Sequence, residues 1–244
     1  MSDWFKDWFS SGEYHTVYKH RDSKDVVQFW NTFTKKFNPQ KEIKILDAAC
    51  GPGRYSVFLA EKGFDVTGFD LAMPLLKITG EKLTNLGIQP KLFRSDIRNV
   101  PLKGKFDLIL NMFTSFGYFD DEDENFRFID SARNLMGSHS IFVLDYLNEH
   151  LVRKNLVPHS QKKIGDKSIT ENRFIRNGRV EKEITIAGKE GSVNFLESVK
   201  LYDKDFMLTK IKDLGYNVRE VWGGYEGEPF DRNSSQRLII LFSL

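Results

Sequence analysis

Asp47, Gly51 and Gly53 fall within the stretch LDAACGPGRYS, Leu46 to Ser56, which follows the strand-like run EIKI and leads into a helical pattern. A strand that stops at a glycine-bearing turn and feeds a helix leaves backbone N–H groups and the positive helix end facing outward at the carboxyl edge of a sheet. A polar, anionic ligand group is expected there. Gly51 and Gly53 let the backbone approach that ligand, and Gly53 can also adopt φ > 0. A phosphate-binding loop needs a Gly-Lys-Ser/Thr close, and none follows Gly53. A dinucleotide fingerprint needs a third glycine, and Ser56 stands in its place. What sets this turn apart is an acid inside the strand that precedes it, Asp47.

Such a turn has to be held by an alternating frame, and the chain supplies one. EIKILDAAC reads as a buried first strand and RYSVFLAEKG as a helix ending at Gly63. DVTGFD is the second strand, closing on Asp70. MPLLKITGEKLTNLG is the second helix, with Pro74 in its first turn and Gly87 past its end. PKLFRSD, ending on Asp96, and FDLILNMF, carrying Asn111, give strands three and four. DDEDENFRFIDSARNLMG follows as a helix with acids in its first turn and Gly137 at its close, and SIFVLDYL is strand five. The order then changes. SITENRFI, the turn RNGR and VEKEITIA form a hairpin, because Asn177-Gly178 suits a type I′ turn. SVNFLESVKL adds an antiparallel strand, KDFMLTKIKDLG a helix, and YNVREVWG and RLIILFSL the last two strands. The expectation is one α/β domain with a mainly parallel sheet and an antiparallel outgrowth at about Ser168 to Leu201.

The run Asp47-Ala48-Ala49-Cys50-Gly51-Pro52-Gly53 resembles the first motif of class I S-adenosylmethionine (SAM)-dependent methyltransferases, an acid followed by three alternating glycines, with Ala49 replacing the first. The likeness continues from roughly Lys44 to Leu244. It implies a Rossmann-like seven-stranded sheet whose last strand is antiparallel, with a small antiparallel β outgrowth after strand five. It also implies SAM as cofactor and S-adenosylhomocysteine (SAH) as product. The resemblance places the methionine end of SAM at Ala49, Cys50, Gly51 and Gly53, with its ammonium near Asp47. It places Asp70 at the ribose, Asp96 and Ile97 at the adenine, and Asn111 toward the methionine part and the substrate, and it counts Leu71 among the cofactor contacts. The tyrosines and basic residue of YHTVYKHRD are similar to the cap of small-molecule N-methyltransferases acting on amino sugars or glycine; Tyr18 and Arg21 are expected to reach the methionine carboxylate. In that subset the insert after strand five is a lid or a dimer contact. The implied layout is a helical cap over 1–40, a SAM-binding core over 41–150, the insert over 151–201 and completion of the core over 202–244.

Methyl transfer from a sulfonium is an in-line displacement in which the protein aligns the reactants and keeps water away, so no base need be visible in the sequence. The expected activity is transfer from SAM to an N or O nucleophile of a small molecule. NMFTSFGYF lacks the Asn/Asp-Pro-Pro-aromatic run of DNA amino-methyltransferases, and Cys50 is committed to the turn rather than free as a nucleophile. Asp120 to Glu124 fit a solvated helix start better than a magnesium site, and no metal is expected. Phe116, Tyr118 and Phe119 could wall a pocket or face a sulfonium. Tyr118 and His20 are the catalytic candidates bordering the acceptor, with His15 as a further proton acceptor. Three other readings stay open: RNA or protein methylation through the basic segment Arg153 to Lys182, a non-catalytic SAM-binding protein, and an NAD-dependent oxidoreductase, which Ser56 and Asp47 oppose.

Composition narrows the partners. A net formal charge of +2 over 244 residues is low for a dedicated nucleic-acid binder. One cysteine, Cys50, excludes an internal disulfide and points to a reducing cytoplasm. No apolar run is long enough to span a bilayer, and Asp3, Lys6 and Asp7 break the order of a signal peptide. Trp4, Phe5, Trp8 and Phe9 share one helix face, expected to pack on the main domain rather than a membrane. The expected partners are a small-molecule acceptor and a second copy of the chain through the insert.

Overall fold

Two short helices, α1 (Trp4–Ser10) and α2 (Gly12–Tyr18), precede α3 (Lys24–Phe37) in the computed structural model, which describes residues 3–18, 24–189 and 191–244. The chain then alternates through β1 (Lys44–Ala48), α4 (Arg54–Glu61), β2 (Asp65–Asp70), α5 (Met73–Asn85), β3 (Leu92–Arg94) and β4 (Phe106–Asn111). Next come α6 (Glu122–Ala132), β5 (Met136–Leu147) and α7 (Glu149–Lys154). Four strands follow, β6 (His159–Ile164), β7 (Lys167–Arg176), β8 (Arg179–Gly188) and β9 (Gly191–Lys200), before α8 (Lys204–Asp213), β10 (Asn217–Trp222) and β11 (Arg237–Ser243) close the chain.

Seven strands form one sheet in the order β10-β11-β5-β4-β1-β2-β3. Helices cover both faces, which is why β1 and β4 read as nearly continuous apolar runs. β11 is antiparallel to both β5 and β10, as the resemblance implied. On one face α3 buries Phe29, Trp30 and Phe33 against Tyr55, Leu59 and Trp222. Burying each such ring stabilises by roughly 1.5–3 kcal/mol. The reversal of strand order beside β1 puts the carboxyl ends of β1, β2 and β4 around one crevice, where ligands bind in open α/β sheets.

Some local expectations need correction. The helix before β5 stops at Ala132 and a 3-10 turn, and Gly137 lies inside β5 rather than at the helix end. β3 is short, so Asp96 lies just beyond its last residue, Arg94. The outgrowth has a fourth strand, β6, whose polar alternation HSQKKI carried no hydrophobic signal. Its central turn does have both residues left-handed, Asn177 at φ 51° and Gly178 at φ 68°. The aromatic helix α1 packs on this second sheet more than on the core, with the Trp8 ring tilted at 41° to that of Phe195, 4.6 Å between their centres. The basic residues of the outgrowth are not one solvated strip. Arg173 pairs with Glu171, Arg176 with Glu181 and Lys182 with Glu197, while Arg179 is buried.

Candidate active site

The turn after β1 is left-handed at Ala49 (φ 56°), Gly51 (φ 54°) and Gly53 (φ 78°). Its backbone is tied to β2: Cys50 N–H donates to Phe69 O at 2.9 Å and Gly51 N–H to Asp70 Oδ2 at 2.8 Å. Thr79 of α5 supports it from below, its hydroxyl donating to Gly51 O at 2.9 Å. Above the turn lies a cavity of about 210 Å³. Among the sequence candidates, Tyr18, Asp47, Ala49, Cys50, Gly51, Asp70, Leu71, Asp96, Ile97, Asn111 and Tyr118 line it; Gly53 lies beneath, against Thr79. His20 and Arg21 lie outside the described residues. The Cys50 thiol is pushed far up by burial and by the neighbouring Asp47 and Asp70, so it stays protonated and fills space.

Asp47 is buried and accepts hydrogen bonds from the Ser56 hydroxyl at 2.6 Å and the Ser56 N–H. Burial, reinforced by Asp70, raises its carboxyl to about 6 against the opposing pull of those bonds and of Arg54. It has no ion-pair partner among the described residues, so its charge is left for something else. Between about pH 4 and pH 6 the unfolded chain gives up this proton while the fold retains it, so folding stability falls as pH rises through that window. The loss amounts to about 2–3 kcal/mol at neutral pH. Asp47→Asn is therefore expected to raise the melting temperature of the ligand-free protein at pH 7.5 and flatten its pH dependence between pH 4 and 6. Scanning calorimetry across that range checks both.

Asp70 ends β2 and accepts from Gly51 N–H and Ala72 N–H, both at 2.8 Å. Burial raises its pKa and these backbone bonds oppose the rise. Asp96 is more exposed: burial alone would raise it, but the Arg98 fork, at 3.0 Å and 2.8 Å, holds it below the usual carboxylate range. Asn111 ends β4 and its Nδ2 donates to Ala48 O at 3.2 Å, joining the carboxyl ends of β4 and β1.

Aromatic rings close the cavity. Tyr118 lies 5.1 Å from Trp4 and 5.7 Å from Phe9, and Phe119 lies 5.4 Å from Phe5. Burial drives the Tyr118 phenol well above its ordinary pKa, so it stays protonated on the cavity wall. Tyr18 donates to Glu197 Oε1 at 2.7 Å, which points its hydroxyl at the outgrowth. His15 also lines the cavity.

Several residues at the site were not anticipated from sequence. Arg54 lines the cavity with its guanidinium 4.0 Å from the centre of the Phe113 ring. Tyr55 lines it too, and its buried hydroxyl has no hydrogen-bond partner among the described residues. Asp145, fully buried, receives Phe113 N–H, Tyr225 OH and Arg237 Nε at 2.8, 2.8 and 2.7 Å. That grip holds Phe113 and Thr114 left-handed, at φ 61° and 63°. An acid inside the apolar run SIFVLDYL was the available signal, since a buried charge demands partners.

Residues 45–136 match the family model of a methyltransferase domain. The segment contains the turn, Asp47, Asp70 and Asp96. The chain carries a methyltransferase domain and has the fold of SAM-dependent methyltransferases. YqeM of Bacillus subtilis (strain 168), named as a candidate methyltransferase, is 27% identical across 91% of this chain and 77% of its own. The glycine/sarcosine N-methyltransferase of Aphanothece halophytica is 23% identical across 80% of this chain and 74% of its own. A SAM-dependent methyltransferase from Clostridium acetobutylicum ATCC 824 superposes with a TM-score of 0.80 at 20% identity, covering 94% of this chain and 95% of that one. The methyltransferase domain match ends at Met136, so the second sheet lies outside it.

Proposed function

We propose that the cavity binds SAM and that the methyltransferase moves its methyl group to a nitrogen or oxygen of a small molecule. The observation that carries this reading is Asp47: a buried carboxylate with a raised pKa, on the wall of the cavity and without an ion-pair partner among the described residues, fits an ammonium group. Asp70, held by two N–H groups at the end of β2, suits the ribose hydroxyls. Leu71 and Ile97 would flank the adenine, with Asp96 at its edge. Its pairing with Arg98 restricts the directions from which that carboxylate can accept. Ala49, Cys50, Gly51 and Gly53 shape the turn, and Arg54 joins Arg21 as a candidate for the methionine carboxylate, the Tyr18 hydroxyl being engaged by Glu197. Asn111 marks the passage to the acceptor.

SAM supplies a methyl group already activated on a sulfonium. The protein's share is then to align and to dry the site. Tyr118, Phe119, Phe5 and Phe9 exclude water from one side, and Asp145 fixes the loop at Phe113 on the other. His15, on the cavity wall, is the described side chain placed to take the acceptor's proton; His20 is the second candidate. A small acceptor is favoured by the covered cavity and by the glycine/sarcosine enzyme among the relatives. The carboxylates that neutralise Arg173, Arg176 and Lys182 weigh against RNA phosphates on the outgrowth.

Isothermal titration with SAM and separately with NAD tests the donor. Micromolar SAM binding and no NAD binding are expected. Affinity for SAM should fall as pH drops below about 6, where Asp47 takes up its proton, and Asp47→Asn should abolish that dependence. Absence of SAM binding in folded, ligand-free protein overturns the reading. Labelled methyl transfer to glycine, sarcosine, amino sugars and their hydroxyl analogues then separates N from O acceptors.

A further inference from the structure

Arg179 opens β8, directly after the Asn177-Gly178 turn, and its side chain runs inward rather than into solvent. Nη1 donates to Phe119 O at 3.0 Å; Nη2 donates to Tyr118 O at 2.8 Å, Gly117 O at 3.2 Å and Ser198 O at 2.9 Å. Nε donates to the Ser198 hydroxyl at 2.7 Å. The nearest carboxylate, Asp120, is 3.9 Å away and itself half-exposed. A buried cation is expensive to keep without a close counter-charge. Here it is compensated mainly by carbonyls, three of them from successive residues of one loop. Drawing the carbonyls of Gly117, Tyr118 and Phe119 to one point fixes the rotation of each peptide, and that rotation determines where the side chains between them project. The two rings so fixed, Tyr118 and Phe119, are cavity wall. The same loop is stitched to the second sheet by Lys200 N–H donating to Gly117 O at 2.8 Å. A Lys at position 179 would keep the charge but could not span these acceptors with one ammonium.

We propose that Arg179 is a positioning residue of this methyltransferase, setting the Tyr118–Phe119 wall of the donor cavity from the antiparallel outgrowth. The proposal rests on the reading that the cavity holds SAM. It gives the second sheet a part in the active site that neither the domain match nor its surface charge reveals.

A double-mutant cycle on SAH binding tests it without an identified acceptor. Titration calorimetry compares the wild type, Arg179→Lys, Tyr118→Leu and the double variant, each with its melting temperature. Arg179→Lys is expected to weaken SAH about tenfold, and the double variant no more than the weaker of the two single variants. Fold losses that multiply in the double variant overturn the proposal, since Arg179 would then act independently of Tyr118. Unchanged SAH affinity alongside a lowered melting temperature also overturns it, leaving Arg179 merely structural. If Arg179→Lys does not fold, Ser198→Ala, which removes the partner of Nε, is read by the same criteria with an expected loss of about threefold. A wild type that binds no SAH overturns the donor reading and this one together; a wild type that binds SAH beside an unaffected Arg179 variant overturns this one alone.

Discussion

Asp70→Asn is expected to lower affinity for SAM and SAH together by about 100-fold while the protein stays folded. Both carboxylate oxygens already accept from the backbone, Oδ2 from Gly51 N–H and Oδ1 from Ala72 N–H. An amide keeps one acceptor and turns an NH₂ toward the other N–H, so one bond becomes a donor facing a donor. Hydrogen bonds to charged groups contribute roughly 1.5–3 kcal/mol each. Losing one of them, together with the charge that the proposed SAM pose turns toward the ribose, reaches the ~2.7 kcal/mol that corresponds to a hundredfold change in affinity. Titration calorimetry against SAH, with a melting curve on the same sample, reads the effect. A change below threefold would mean that the acid at the end of β2 orders the turn without meeting the ligand.

The largest effect on stability belongs to Gly53→Ala. Ala49 sits at φ 56° in the same turn, so a left-handed backbone alone does not demand glycine here. What singles out Gly53 is Thr79: a Cβ at position 53 would fall 2.4 Å from Thr79 Cγ2 and 2.7 Å from its Oγ1. Left-handed strain of about 1–2 kcal/mol and overpacking of about 1–3 kcal/mol together predict a loss of roughly 2–5 kcal/mol. Thr79→Ala removes both clashing atoms and should restore the overpacking part only. Denaturant unfolding of the four chains separates the two contributions. Equal losses from Gly53→Ala with and without Thr79 would show that the contact with α5 relaxes freely.

The features that could be read in the sequence share a property: their meaning is local. The acid, the turn and the helix that follows are contiguous, and Asp70 and Asn111 stand at strand ends that hydrophobic runs mark out. The Asn177-Gly178 turn declares itself in two residues. What escaped depends on contacts between distant segments. Arg179 looks like any other basic residue of an alternating hairpin, and only the folded loop at Gly117 to Phe119 turns it inward. Tyr55 reads as one more helix residue until α3 and the cavity enclose it. Asp96 lines the cavity, yet its neighbour Arg98 occupies the carboxylate, a pairing that proximity in sequence allows but does not require. His20 and Arg21 rest on the resemblance alone.

Glu197 joins parts of the chain that pattern alone would treat as separate. Its Oε1 takes both Trp8 Nε1 of α1 and Tyr18 OH of α2, each at 2.7 Å, while Lys182 of β8 balances its charge. Neither helix can leave without stranding a partner of the other. The N-terminal helices and the second sheet are therefore not interchangeable modules. A chimera that took its outgrowth from a relative while keeping this N-terminus would have to import residues 8, 18, 182 and 197 as a set, and natural drift at any one of them is answerable to the other three.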